Sequence, residues 1–284
     1  MQIETLAALL GEFKVVGFED QAVDPVVKSA GRVFQILELF DVLRRDAHVS
    51  EISELLDLPQ SSTSVLLRSM VSIGYLSYNR DTRAFRPTTK VAVLGSWING
   101  PLLSDGALMR LVDRINEASG QSVVIAVRNR IWAQYIHVAQ ARAEDRIFLV
   151  KGANRPLTRG AAGLALLSDL PDAEVKRIAL RINAEIPGRD SIAEVMERVE
   201  AVRMLGYAFN CDRITPGCGM IALRVPNVMG AEELVIGIAG FSADLRARKD
   251  ELVDVARCEI AAYRAEIATM RLNDEVPVGG GLTH

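Results

Sequence analysis

Apolar positions recur at helical spacing soon after the chain begins. Val33, Ile36, Leu37, Phe40 and Leu43 fall on one face, with Ser29 placed to cap a first helix. A second short helix is predicted from Ser50, turning Ile52, Leu55 and Leu56 inward. Leu58-Pro59 breaks it, since proline cannot continue a helix but sits well at the start of the next. The third helix is predicted from Gln60 to Ile73, with Leu66, Leu67, Met70, Val71 and Ile73 facing a core and Gly74 ending it in a left-handed conformation. "YLSYNRDTRAFRPT" then alternates and turns at Asn79-Arg80-Asp81, which reads as a two-stranded ribbon.

Three short helices and a ribbon make a winged helix-turn-helix. The third helix opens "QSSTS", although Ser and Thr are indifferent helix formers. Ser61, Ser64, Val65, Arg68 and Ser72 share the face opposite its apolar stripe. Small hydroxyl side chains there let the backbone approach a groove floor and offer hydrogen bonds to base edges, and Arg68 has the reach for a guanine or a phosphate. The same run of hydroxyls also serves as ordinary capping, so the reading rests on the whole arrangement.

Charge strengthens it. The chain is slightly acidic overall, at −3, and residues 1–24 hold Glu4, Glu12, Glu19, Asp20 and Asp24 against Lys14. Between Pro59 and Lys90 the balance reverses: Arg68, Arg80, Arg83, Arg86 and Lys90 stand against Asp81. A basic stretch inside an acidic protein is a local footprint of the kind a DNA contact needs.

The second half alternates element types. "KVAVLGSWING" reads as a linker helix ending near Gly100-Pro101, followed by a helix from about Asp105 to Ala118 with Leu108, Leu111, Val112 and Ile115 inward. Strands are predicted at "SVVIAVR", "IWAQYIHVA" and "RIFLV", and helices at "AAGLALLS", Pro171 to Asn183 and Ser191 to Leu205. Three more strands, "YAFNC", "GMIALRVP" and "ELVIGIAGF", precede a last helix from about Leu245 to Met270. Hairpins at both ends with helices between them imply an α/β (α+β) sandwich on a mostly antiparallel sheet. The expected divisions are an extension (1–24), the winged helix-turn-helix (25–88), the linker helix (89–104), a second domain (105–272) and a flexible tail (273–284).

Catalysis finds little support. Only three histidines are present, one of them the last residue. Cys211 and Cys218 are separated by six residues with no second pair to complete a zinc site, and "GAAGLA" lacks the spacing of a dinucleotide loop. Neither a metal nor a cofactor is implied. Cys211 and Cys218 leave a redox-sensing regulator as an alternative. Apolar runs are too short for a membrane span, no signal peptide is recognisable, and three cysteines suit a reducing cytoplasm.

"SAGRVFQILELF", "LPQSSTSVLLRSMVSIGYL", "FRPTTKVAVLG", "PLTRGAAGLALLS" and "VRMLGYAFNCDRITPGCGMIALRVPN", in that order, resemble the IclR family of bacterial transcriptional regulators over about Val26 to Leu272. The resemblance implies an effector-binding second domain of GAF-like fold and a homodimer or homotetramer. It also implies binding to double-stranded operator DNA near catabolic operons and a response to a small organic or aromatic acid. Gln60, Ser61, Ser62, Thr63, Ser64 and Arg68 then fall on the recognition helix, Arg83 and Arg86 on the wing, and Arg32 on the first helix. Relatives often carry a basic residue where this chain has Val65, which suggests an apolar contact to a thymine methyl there.

The implied effector pocket lies between Thr158, Arg159, Gly160, Ala161 and Ala162 on one side and Asn210, Cys211, Asp212, Cys218 and Met220 on the other, with Gly237 and Ala239 from the last strand. Independently of the resemblance, the Gly-Ala-Ala run at a helix start exposes backbone N–H groups to an anion. Many relatives have hydroxyl side chains at the positions of Gly237 and Ala239, so a roomier, less polar wall is expected here.

Overall fold

The computed structural model describes residues 27–94, 106–225 and 233–274, with side chains to residue 269. The extension, the linker beyond Leu94 and the tail from residue 275 lie outside the described residues. The chain divides into two compact units near residues 100–101.

In the first unit, α1 (Lys28–Leu43), α2 (Val49–Leu55) and α3 (Gln60–Ser72) are followed by the ribbon strands β1 (Leu76–Asn79) and β2 (Ala84–Pro87) and by α4 (Thr89–Leu94). Ile36, Phe40, Ile52, Leu67, Met70, Leu76 and Phe85 form its core. Val27, not Ser29, occupies the cap position of α1 and makes no side-chain cap bond, so Ser29 lies within the first turn. Helix α3 stops at Ser72, which leaves Ile73 in the turn and 57% exposed rather than inward. Gly74 does adopt the left-handed conformation, at φ +82°, and the amide of Tyr75 reaches back to Met70 O at 2.9 Å. Lys90 closes that helix end, donating to Ile73 O at 2.8 Å. At the ribbon tip Asn79 Oδ1 accepts the amides of Asp81 and Thr82, and Arg83 takes a left-handed φ of 55°. The bridge between Ala47 and Phe85 ties the ribbon to the helices.

The second unit is built on a six-stranded antiparallel sheet. Its strands are β3 (Ser122–Asn129), β4 (Trp132–Ala139), β5 (Asn154–Pro156), β6 (Ala208–Cys211), β7 (Cys218–Val225) and β8 (Leu234–Phe241), in the order β5-β4-β3-β8-β7-β6. Helices α5 (Ala107–Ser119), α9 (Ser242–Ala247) and α10 (Lys249–Asp274) belong to one face. Helices α6 (Ala161–Leu167), α7 (Asp172–Glu185) and α8 (Ile192–Leu205) belong to the other. Because both faces are covered, central strands must be apolar at nearly every position. On β3, Val124 and Ala126 enter one core while Val123 and Ile125 enter the other.

Two expectations need correction. "RIFLV" forms no strand: Ile147 and Leu149 are buried, but the strand paired with β4 is Asn154–Pro156. The last helix is also interrupted, because Arg248 separates α9 from α10.

Candidate DNA-contacting cleft and effector pocket

The exposed side of α3, the start of α2 and the ribbon enclose a cleft of about 550 Å³. Val49, Val71 and Phe85 give it apolar walls; Ser64, Arg68, Ser72, Tyr78, Arg80 and Arg83 supply its polar and aromatic groups. Tyr78 packs against Phe85 with ring centroids 4.8 Å apart and planes tilted by 46°, as their direct cross-strand pairing allows. Among the described residues, three guanidinium groups border the cleft and no carboxylate does.

Of the residues expected to meet DNA, Ser64, Arg68 and Arg83 border this cleft, and Gln60 and Ser61 are exposed at the start of α3. Ser62 and Thr63 are tied to the helix itself: both hydroxyls donate to Pro59 O, at 2.9 and 3.1 Å, and Thr63 is buried. Arg86 is turned to Asp46, with Nε at 2.5 Å from Oδ1, and Arg32 on α1 is half-buried; neither borders the cleft. Sequence reasoning counted Arg80 only as charge and omitted Tyr78. Their position beside the "NRDT" turn was the available signal.

In the second unit a cavity of about 50 Å³ opens between α6, the end of β6 and β7. Gly160, Ala161, Asn210, Cys218, Met220 and Ala239 line it as expected, joined by Tyr135, Ile147, Leu149, Arg155, Arg213, Ile214, Thr215 and Gly219. The other expected residues do not line it. Thr158 Oγ1 donates to Asp190 Oδ2 at 2.6 Å, and Arg159 pairs with the same oxygen at 3.3 Å while also donating to Pro187 O and Gly188 O. Burial works against the Asp190 charge, but the bonds from Thr158 and Arg159 outweigh it and hold the carboxyl below its usual range. These two residues brace the loop before α6, and Asn210 Nδ2 binds Arg159 O across the gap at 2.6 Å. Asp212, at a φ of 63°, closes the β6–β7 loop by accepting from Gly217, Ser242 and Arg246. Ala162 lies in the core.

Gly237 does not widen the wall. A Cβ there would lie 2.7 Å from Met220 Sδ and 2.9 Å from Val124 Cγ2, so the thioether of the next strand already fills the space. Ala239 is the position where a short side chain borders the cavity.

Arg155 is the residue the sequence did not reveal. It is 2% exposed, lines the cavity, and acts on the buried Tyr135 phenol by charge and a hydrogen bond. Burial raises Tyr135 more than Arg155 lowers it, so the phenol keeps its proton at neutral pH and remains a donor. Arg213 stands at the same cavity with Asp190 Oδ1 3.5 Å away. Among the described residues, none that lines the cavity is acidic.

The cysteines are not arranged as a switch. Cys211 pairs across the ladder with Gly219, so Cys218, one residue earlier, points to the opposite face of the sheet. Cys218 packs in the core beneath α6 and Cys211 against the other core, and burial raises the Cys211 thiol away from the reactive thiolate. Side chains that diverge this way cannot be bridged without breaking the β6–β7 pairing. Peptide mapping after mild oxidation should therefore find no Cys211–Cys218 link; recovery of that cross-linked peptide would restore the redox reading.

Residues 29–80 match the IclR helix-turn-helix domain, and residues 107–261 match the bacterial transcriptional regulator IclR C-terminal domain. The transcriptional regulator XynR of Escherichia coli is 22% identical over 249 residues, 86% of this chain and 94% of its own. The transcriptional repressor AllR of the same species is 26% identical over 232 residues, covering 78% and 84%. The fold is likewise similar to the Thermotoga maritima IclR crystal structure (TM-score 0.59, 17% identity, 85% of this chain and 99% of that one). It is also similar to an IclR homolog from Microbacterium hydrocarbonoxydans complexed with 4-hydroxybenzoate (TM-score 0.61, 16% identity, 85% and 99%). With both of its units matched in order, the chain belongs to the IclR family of bacterial transcriptional regulators, DNA-binding proteins and not enzymes.

Proposed function

We propose that this regulator controls a catabolic operon from the cytoplasm by sensing a small organic or aromatic acid in the cavity of its second unit. Arg155 carries the reading. A guanidinium is held where water is scarce at the cavity wall, and the Arg213 guanidinium lines the same space, so the positive field there favours a carboxylate ligand. Tyr135, Asn210 and Arg213 add donors around the same space, while Ile147, Leu149, Met220 and Ala239 receive an apolar body. The 4-hydroxybenzoate held by the Microbacterium homolog is an acid of this kind. Anion recognition by the start of α6 is at most an auxiliary to the arginine, because that helix is only seven residues long.

The DNA-binding form is proposed to be a homodimer or homotetramer. One 13-residue recognition helix reads too few base pairs for a specific operator, and two-fold pairing places half-sites roughly one DNA turn, ~34 Å, or a multiple apart. No helix among the described residues is long and apolar enough to cross a membrane.

A thermal-shift panel tests the ligand class. Small organic and aromatic acids should include at least one that raises the melting temperature, with about 2.7 kcal/mol of stabilisation at a ligand concentration 100 times Kd. The matching neutral amide should give no shift. Equal stabilisation by acid and amide would refute carboxylate recognition.

A further inference from the structure

The outer face of α3 does not present one uniform surface to DNA. Thr63, Leu67 and Met70 are buried and define its inward line. At ~100° per residue, Val65 stands almost directly opposite that line, Arg68 is turned roughly 50° toward the ribbon, and Ser61 lies between the two. From this helix the cleft is bordered by Ser64, Arg68, Val71 and Ser72, together with Arg80 and Arg83 of the ribbon, while Ser61 and Val65 lie outside its lining.

These two zones have different chemistry. The cleft brings three guanidinium groups around apolar walls from Val49, Val71 and Phe85, complementary to a strand of charged phosphates and apolar sugar faces. The outermost line of the helix is instead serine and valine. Val65 is 67% exposed, and its methyls gain nothing in water. In a major groove the matching apolar feature is the C5-methyl of thymine.

We propose a division of labour within α3, resting on the family's DNA-binding activity. Arg68, Arg80 and Arg83 grip one sugar–phosphate strand in the cleft, whereas Val65, flanked by Ser61, reads base edges and covers a thymine methyl. Arg68 is then a phosphate clamp, and sequence preference lies with a side chain that carries no charge.

The test uses the full-length protein to enrich duplexes from a random pool, followed by affinity measurements on the enriched site and a scrambled one across salt concentrations. Arg68→Ala should weaken both duplexes equally, keep their affinity ratio, and reduce the slope of log K against log salt by about 1. Val65→Ser should leave the slope unchanged and lower only the affinity for the enriched site, about fourfold per methyl uncovered. Replacing the site's thymines by deoxyuridine should cost the wild type a similar factor and cost Val65→Ser nothing further. The division is overturned if Arg68→Ala collapses the affinity ratio at constant slope, or if deoxyuridine leaves wild-type affinity intact. Failure to enrich any duplex would overturn the DNA-binding reading itself, and this proposal with it.

Discussion

Replacing Gly163 by alanine should destabilise the effector-binding unit by ~3 kcal/mol or more, at the upper end of overpacking costs. Helix propensity alone gives the opposite sign, since alanine in a helix interior is favoured over glycine by about 1 kcal/mol. Geometry decides between them. A Cβ on Gly163 would lie 2.6 Å from Leu157 Cα and 2.7 Å from its carbonyl carbon, and closer still to its carbonyl oxygen. All three atoms are backbone, so no side chain can swing aside. Leu157 follows strand β5 and is itself fully buried, and every residue of α6 around the glycine is buried as well. Relief therefore requires moving α6 away from the segment that carries Arg155, which opens the cavity as well as the core. For a domain of this size the expected fall in the melting transition is roughly 6–12 °C. It should be confined to that unit, leaving the transition of the winged unit in place. Calorimetry on the full chain measures both; an alanine variant as stable as wild type would show that α6 is not seated on Leu157 in this way.

The same neighbourhood shows where sequence reasoning succeeds and where it stops. Strands β3, β7 and β8 were legible because sheets covered on both faces need unbroken apolar runs, and "SVVIAVR" and "LVIGIAG" supply them. "RIFLV" has the same local signature, yet its Ile147 and Leu149 became cavity wall, since a short apolar run cannot by itself distinguish a strand from a buried loop. The true edge strand, Asn154-Arg155-Pro156, carries no strand signal at all; proline is tolerated there because it lies on the sheet edge.

Thr158 and Arg159 enter the expected pocket through the family resemblance alone. Their partner Asp190 lies more than thirty residues onward, and only the folded chain brings it to them. Gly237 gives the complementary lesson. A missing side chain reads as empty space until the adjacent strand shows Met220 occupying it. On α3 the exposed face was readable from periodicity, but the hydroxyls of Ser62 and Thr63 were not separable from those of Ser61 and Ser64 until their bonds to Pro59 were seen.

Arg155→Met should abolish the acid response while leaving a folded protein that still binds DNA. Methionine approximates the length and apolar stem of arginine and packs adaptably, so the core around the cavity can remain filled. Removing one member of a buried polar network costs stability, here because the buried Tyr135 loses its Arg155 partner, so a melting temperature below that of wild type without ligand is the expected baseline. Against that baseline, loss of a charge-assisted bond worth about 1.5–3 kcal/mol should weaken the acid identified by thermal shift roughly 10- to 150-fold. Arg213→Ala should cost less, because that side chain is half-exposed and already shares Asp190. DNA affinity without ligand should match wild type, since Arg155 belongs to the effector-binding unit and not to the winged one. Titration calorimetry with the acid, paired with a gel-shift assay at fixed salt, separates the two effects. If the Met variant binds the acid as tightly as wild type, the carboxylate is not held by Arg155 and the cavity is not the effector site as drawn. If it loses DNA binding as well, the substitution has disturbed more than the pocket, and the assignment of Arg155 as a ligand anchor fails on that ground too.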